Sequence, residues 1–284
     1  MKHWLCVMFE DNSQLCDIAR AAEEIGFHGI AVADHVAIPH GFASVHPSGE
    51  NPFVPNTNFP DPFTTIAAMA AVTERLQFLP YVYVLPASDP FSVAKQAGTV
   101  AMLSNYRFAL GVGAGWLREE IALLGHDPAS RGKRMDEMIA VLRGFWDSGT
   151  TEFHGEFFDF GPTSMFPQPT QHVPLWVGGK SRAAIRRAAR NDGWLGMNYP
   201  LEEIDVLLGT LADERKRIAD ERGAEQPFET MVIPNAMPSR ALDEQLEAKG
   251  VTSTIALAWP VGDPAFASID AKRDAMAAYA GQRF

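Results

Sequence analysis

The sequence is poor in cysteine, in positive charge and in long apolar runs. Its two cysteines, Cys6 and Cys16, lack the paired spacing of a disulfide framework or a zinc site. Lysine and arginine number 24 against 35 aspartates and glutamates, a formal net charge of −11. This balance disfavours nucleic acids and anionic membranes as partners, because both are bound by basic surfaces. The longest apolar run, 66–72, has seven residues, whereas a membrane-spanning helix needs about 20.

Targeting and metal-binding patterns are also missing. The chain reaches Glu10 after a short apolar stretch, which cannot hold a signal-peptide core followed by a cleavage site. Neither the H-E-x-x-H zinc pattern nor the G-x-S-x-G nucleophile elbow occurs. We therefore expect a cytoplasmic protein without a metal site.

What the sequence does contain is a regular alternation of strand and helix patterns. The predicted strands are 4–9, 29–33, 76–85, 107–112, 174–177, 194–197, 230–233 and 254–257. A helical pattern follows each of them, and eight such units over 284 residues are typical of one parallel barrel. We predict an α/β protein with a (βα)8 TIM barrel that occupies 1–284 as a single domain. A doubly wound open sheet is the alternative.

Two long segments interrupt the alternation. Segment 39–60, rich in Pro, Asn, Gly and Ser, follows the second strand, and segment 150–173, with a hairpin pattern at 153–157, precedes the fifth. Long loops in compact domains are mostly lids or binding loops. Since barrels keep their chemistry at the carboxyl ends of the strands, the first insertion is expected over a site.

Polar residues and glycines follow the second, fourth and fifth predicted strands. Asp34 and His35 come directly after the second, where an imidazole can exchange a proton near neutral pH; the alternative is a turn-capping Asp beside a hydrogen-bonded His. The run GVGAG at 111–115 lets a ligand approach the backbone closely, or serves packing. The run GGKS at 178–181 opens a helix and resembles a phosphate cradle, or holds an ordinary serine cap.

Two adjacent carboxylates, Glu119 and Glu120, follow the glycine run. Neighbouring carboxylates in a loop or a first helical turn are usually hydrated. On spacing alone we predict that both lie on the surface.

A set of short motifs in a fixed order connects these features. They are AAEEIGF at 21–27, DH at 34–35, AVTERL at 71–76, LP at 85–86, AKQ at 94–96, LGVGAGW at 110–116 ahead of Glu120, RG at 131–132, DE at 136–137, PQP at 167–169, VGG at 177–179, RRAA at 186–189 and DGW at 192–194. In this order the chain resembles the luciferase-like flavin and deazaflavin oxidoreductases, from about residue 14 to residue 199. Its length and the long loop after His35 are most similar to the branch that uses coenzyme F420.

The resemblance implies a bacterial luciferase-like barrel that holds the cofactor ring at the carboxyl ends of its strands. Asp34 and His35 would lie beside the reactive centre, with the histidine handling the proton that accompanies hydride transfer. A bulge with a non-proline cis peptide would fall at Tyr81-Val82. The further cofactor-binding residues implied are Tyr81, Val82, Gly113, Ala114 and Glu119 near the ring, and Gly178, Gly179, Lys180 and Ser181 at the phosphate.

Two positions depart from the family pattern. Tyr81 stands where a small residue is common, which affects the space over the ring. Asn105-Tyr106 replaces a usual Gly-Gly ahead of the fourth strand, at the end of the barrel that matters for stability rather than chemistry. Asn can adopt the left-handed conformation that such a turn needs.

The sequence thus predicts an F420-dependent oxidoreductase that transfers a hydride between the deazaflavin and a small organic substrate. One alternative is an FMN-dependent monooxygenase on the same barrel, in which reduced flavin reacts with oxygen. Another is a non-catalytic flavin- or deazaflavin-binding carrier, since a fold does not fix a function. The resemblance also implies a homodimer, because members of the family often pair through barrel helices. The alanine-rich helix predicted at 61–74 has a flat apolar surface for such pairing, or else this face belongs to the internal core.

Overall fold

A ring of parallel strands forms the centre of the molecule. The computed structural model describes residues 1–47, 49, 51, 53–222 and 227–284. The strands are β1 (Lys2–Val7), β2 (Gly29–Val32), β3 (Gln77–Pro80), β4 (Tyr83–Val84), β5 (Leu110–Gly113), β6 (Thr150–His154), β7 (Asp159–Ser164), β8 (Leu175–Gly178), β9 (Gly193–Tyr199), β10 (Glu229–Pro234) and β11 (Ser253–Ala256). The helices are α1 (Leu15–Ile25), α2 (Pro62–Ala70), α3 (Pro90–Leu103), α4 (Arg118–Leu123), α5 (Arg131–Ser148), α6 (Arg182–Ala189), α7 (Leu201–Arg222), α8 (Arg240–Glu247) and α9 (Ile269–Arg283).

The main sheet closes on itself. Its nine strands run in the order β3-β2-β1-β11-β10-β9-β8-β5-β4, and β3 and β4 are two halves of one barrel strand interrupted at residues 81 and 82. A parallel bridge between Phe78 and Phe108 joins β3 to the residues ahead of β5. Within the described residues this gives eight barrel positions, which confirms the predicted (βα)8 barrel over the open doubly wound sheet.

An inner core fills the barrel with one side chain from each strand position. It consists of Trp4, Ala31, Leu79, Ala109, Trp176, Leu195, Met231 and Ile255. The rings of Trp4 and Trp176 meet edge to face with centroids 5.8 Å apart. A Cβ atom on Gly29 would lie 2.6 Å from the Trp4 ring, so the large side chain depends on a glycine in the neighbouring strand. Interiors packed this densely tolerate added volume poorly.

Helix α2 is shorter than predicted because tertiary contacts take over its last turn. The prediction ran to residue 74, but the helix ends at Ala70. The Arg107 guanidinium donates to the carbonyls of Ala70 and Thr73, while the Glu23 carboxylate accepts from the amides of residues 74–76. These partners satisfy backbone groups that a continuing helix would otherwise pair.

The turn ahead of β5 has the predicted left-handed conformation. Asn105 has φ 53° and Tyr106 has φ 60°. Asparagine tolerates this region better than most residues, and the Tyr106 hydroxyl is hydrogen-bonded with Thr170 at 3.0 Å. The Asn105-Tyr106 pair therefore adopts the left-handed conformation that the turn needs.

Of the two insertions, the second packs on the side of the barrel. Strands β6 and β7 form an antiparallel hairpin, as predicted around residues 153–157. Its Phe160 ring stacks on Phe145 of α5 at 6.0 Å, and the Glu137 carboxylate accepts from the amides of residues 156–158. In contrast, the described residues of the segment after β2 lie at the carboxyl ends of the strands, where Phe53 and Phe59 pack against His35.

No helix in the described ranges combines the length and apolarity needed to cross a bilayer.

Candidate active site

The carboxyl ends of four barrel strands bring the predicted site residues to one end of the barrel, which we call the mouth. Asp34 and His35 follow β2, Val82 lies between β3 and β4, Gly113 ends β5 and Gly178 ends β8. Parallel strands place all these ends on the same face. Residues up to about 140 positions apart in the chain thus converge, as a barrel requires.

His35 is fixed by a buried carboxylate. Its Nδ1 lies 2.7 Å from Oε2 of Glu120, and the two side chains are 8% and 1% exposed. The other oxygen, Oε1, accepts from the amides of Val36 at 2.7 Å and Ala37 at 3.1 Å. An ionised carboxylate offers acceptors only, so beside one the imidazole would carry its proton on Nδ1 and leave Nε2 for a further partner.

The prediction that Glu120 lies on the surface is wrong. Helix α4, which the sequence analysis did not predict, begins three residues after the glycine run and turns its first turn toward the segment after β2. Two backbone amides and an imidazole there replace water around Glu120. The residues near Glu120 in the chain could not indicate its burial, because its partner His35 lies 85 positions away. The position of Glu120 in the family motif was the available signal.

Asp34 is buried next to this pair. Its Oδ2 accepts from the amide of Val84 at 2.8 Å. Burial raises the pKa of Asp34 to about 7; the Val84 hydrogen bond opposes that shift and the nearby Glu120 carboxylate adds to it. A carboxyl group that titrates near neutral pH beside an oriented imidazole is typical of proton-handling sites.

An aromatic shell surrounds the imidazole; it consists of Phe9, Phe42, Phe53, Phe59 and Trp116. The centroids of Phe53 and Phe59 each lie 4.9 Å from that of His35, and the Trp116 centroid lies at 5.8 Å. Three members of the shell come from the segment after β2 and carry no charge. The shell therefore limits the access of water to His35.

Glu119 holds the same segment at a second point. Its Oε1 accepts from the amides of Ala43 at 2.9 Å and Ser44 at 3.1 Å. Hydrogen bonds from the Ser44 hydroxyl and these amides lower the pKa of Glu119 to about 2. The carboxylate that the resemblance placed near the ring is thus engaged by the inserted loop.

The bulge in the third barrel strand has the form that the resemblance implies, since the peptide bond between Tyr81 and Val82 is cis. The Tyr81 ring packs against the inner core, and its hydroxyl donates to the carbonyl of Gly196 across the barrel. Burial raises the pKa of Tyr81. The large side chain thus extends into the barrel rather than over the mouth.

Val82 forms an apolar floor at the mouth. A Cβ atom on Gly113 would lie 2.6 Å from Val82 Cγ2, and one on Gly178 would lie 2.9 Å from Val82 Cγ1. The side chain therefore occupies the space that both glycines leave open. Gly113 has the packing role that the sequence left as an alternative, and Ala114 beyond it is half-buried.

The segment after β8 carries the features of both interpretations of GGKS. Gly179 has φ 116°, which favours glycine. Ser181 caps α6 by accepting from the amide of Ala184 at 3.2 Å, and Lys180 Nζ donates to Glu203 at 2.8 Å. The first amides of α6 have no partner inside the helix, so this helix start can accept an anion.

Comparison with known proteins gives one family. A family model described as luciferase-like monooxygenase matches residues 10–259. The chain is 41% identical over 243 residues to an uncharacterised protein of Mycobacterium tuberculosis, covering 84% of this chain and 82% of that protein. It is 35% identical over 195 residues to the FMNH2-dependent dimethylsulfone monooxygenase of Pseudomonas fluorescens, covering 66% of this chain and 50% of that protein.

Solved structures share the fold at low sequence identity. The monooxygenase RslO1 from Streptomyces bottropensis matches with a TM-score of 0.78 and 19% identity, covering 99% of this chain and 98% of that one. The coenzyme F420 dependent tetrahydromethanopterin reductase from Methanopyrus kandleri matches with a TM-score of 0.72 and 13% identity over the same shares. These two structures support the barrel architecture.

Proposed function

The chain belongs to the luciferase-like monooxygenase family, and from that premise we propose that it is an oxidoreductase that moves a hydride between coenzyme F420 and a small organic substrate. One observation carries the proposal: His35 is buried at the mouth with Nδ1 bound to Glu120 at 2.7 Å. A histidine held in this way is suited to exchanging a proton through Nε2.

The residues at the mouth fit a deazaflavin. Val82 offers an apolar floor between the ends of β5 and β8, and the backbone amides at the start of α6 suit the phosphate of such a cofactor. Lys180 lies beside these amides and is paired with Glu203. When bound, the deazaflavin supplies a carbon that gives or accepts a hydride. There, His35 would donate a proton to a substrate that is being reduced, or accept one from a substrate that is being oxidised.

A second candidate, an FMN-dependent monooxygenase, is favoured by the 35% identity to the dimethylsulfone monooxygenase. The same floor and helix start suit the isoalloxazine and phosphate of FMN. The fold of RslO1 is compatible with this candidate, whereas the fold of the F420-dependent reductase is equally compatible with the first.

The deciding experiment is a titration of the protein with F420 and with FMN, followed by single-turnover measurements. Reduced cofactor is mixed with a panel of activated alkenes, nitro compounds and small aldehydes or ketones, with and without oxygen. We expect F420 to bind more tightly and to be oxidised by a panel member without oxygen. His35→Ala should slow this step by about 10²-fold or more with cofactor affinity retained.

Other outcomes assign the protein differently. Preferential FMN binding with substrate-dependent oxygen uptake supports the monooxygenase. Tight cofactor binding with no turnover of any panel member supports a carrier. Full single-turnover rate in His35→Ala rejects the role given to His35.

A further inference from the structure

We infer that Glu120 is a positioning residue that keeps a proton on Nδ1 of His35 and thereby leaves Nε2 to exchange a proton with substrate. The structural part of this inference stands on the contacts of Glu120 alone. Its catalytic part rests on the proposed function.

Three hydrogen-bond contacts hold the carboxylate of Glu120. Oε1 accepts from the amides of Val36 and Ala37, at 2.7 and 3.1 Å, and Oε2 faces His35 Nδ1 at 2.7 Å. Backbone amides can only donate, so they hold the carboxylate in one orientation. Because Glu120 is 1% exposed, water has little access to replace a lost hydrogen-bond partner, and such a loss would cost free energy.

The Glu120 carboxylate is hydrogen-bonded both to the side chain of His35 and to the backbone directly after it. Val36 and Ala37 are the next two residues in the chain, so a movement of α4 shifts the imidazole and its backbone together. This arrangement resembles the support of a catalytic imidazole by a buried carboxylate, where the partner fixes both the tautomer and the direction of the ring.

Glu120→Gln tests the inference because the glutamine amide has the shape of the carboxylate but carries an NH2 donor in place of one acceptor oxygen. The carbonyl oxygen of Gln must stay on the amides of Val36 and Ala37, since an NH2 group there would face two donors. The NH2 group then points at His35 Nδ1, which can only receive it as an acceptor. The proton of the neutral ring therefore moves to Nε2, and the ring is left in the opposite tautomer.

The experiment records the ring nitrogen chemical shifts of 15N-histidine-labelled protein without cofactor, at a pH of about 8.5, where an ordinary imidazole is neutral. The His35 signals are assigned by their loss in His35→Gln. We expect Nδ1–H in the wild type and Nε2–H in Glu120→Gln. Glu119→Gln is the matched control: it removes the neighbouring carboxylate, which contacts Ala43 and Ser44, and should leave the tautomer of His35 unchanged.

A second readout uses the loaded enzyme. The single-turnover rate of Glu120→Gln should fall by about 10²-fold or more, while cofactor affinity changes little. An Nε2–H tautomer in the wild type overturns the inference without any variant, and so does an unchanged tautomer in folded Glu120→Gln. If the tautomer switches but no substrate is turned over even by the wild type, the positioning role holds and the proposed function fails.

Discussion

At the scale of single residues, burial decides the charge of Asp34. Its carboxyl group has one amide donor, Val84, and too little water to stabilise the ionised form, so its pKa is raised to about 7. A folded-state pKa above the unfolded value means that its contribution to stability is complete below about pH 4 and is lost as the pH rises through about 7.

Asp34→Asn should therefore stabilise the protein at about pH 8 by about 1–4 kcal/mol. Its amide oxygen can still accept from the Val84 amide, and no charge has to be buried. We expect the difference in free energy of unfolding between variant and wild type to shrink toward zero near pH 4. Denaturant titrations of both proteins over this range measure it, and two parallel curves would contradict the prediction.

The sequence predicted which residues meet at the mouth better than it predicted what they do there. Asp34, His35 and Gly113 follow strands with clear patterns, and the ends of parallel strands lie together. Val82 lay inside the strand predicted at 76–85 and was placed at the site by the family resemblance. Glu120 was misjudged because its environment is made by residues 85 positions away, and residue spacing contains no record of such a contact. A hydrated and a buried carboxylate look alike in a sequence.

At the scale of elements, the bulge and the ends of β5 and β8 fit together through Val82. Gly113→Ala would place a methyl group 2.6 Å from Val82 Cγ2. We predict a loss of about 1–3 kcal/mol in the free energy of unfolding. Adding Val82→Ala should recover part of that loss, because the smaller side chain vacates the same space.

The double-mutant cycle from chemical denaturation measures the coupling, which should be about 0.5–3 kcal/mol. Gly161→Ala in β7 is the matched control, since among the described residues no atom beyond its chain neighbours lies within 4 Å of the position of its Cβ. It should change stability little and show no coupling with Val82→Ala. Additive effects of Gly113→Ala and Val82→Ala would mean that the two residues do not share this space.

Most elements could be predicted because amphipathic period and capping residues define them locally. Asp61 caps α2 through the amide of Thr64 at 2.7 Å, and Pro62 follows at the first helical position, as expected. The end of α2 could not be predicted, since Arg107 and Glu23 impose it from other elements. Helix α4 was missed because six residues are too few to show a period.

At the scale of the whole molecule, two buried groups at opposite ends of the barrel respond to pH in opposite senses. His3 lies beside Asp243 and Arg283 at the end away from the mouth. Burial lowers the pKa of His3, the Asp243 carboxylate opposes this shift and the Arg283 cation adds to it, and the resulting pKa is about 4. Because this folded-state pKa lies below the unfolded value, the contribution of His3 is complete above about pH 6.5 and is lost as the pH falls toward 4.

As the pH falls toward 4, the contribution of Asp34 to the free energy of unfolding rises while that of His3 falls. The two changes therefore partly cancel in the wild type. We predict that His3→Gln removes the acid-induced loss, by about 1–3 kcal/mol between pH 6.5 and 4. The variant should therefore gain stability relative to the wild type as the pH falls. Free energies of unfolding measured in steps of pH test this, and a variant curve that stays parallel to the wild type would exclude it.

The overall architecture was the most predictable level. Eight strand-helix units close into a barrel for geometric reasons that hold whatever the individual side chains are. The single domain over 1–284 and the homodimer stay predictions. The outward face of α2 carries small side chains at Thr64 and Ala68, and Ala71 follows at its C-cap; these would permit the close approach of a second copy.

The adjacent carboxylates of α4 have a consequence for recombination among relatives. Glu120 binds Val36 and Ala37 just ahead of the inserted segment, and Glu119 binds Ala43 and Ser44 within it. A segment grafted here from another member of the family meets these acceptors at fixed positions. Because these four backbone amides match the two carboxylates, we expect that transplanting the segment will require the first turn of α4 to be transplanted with it.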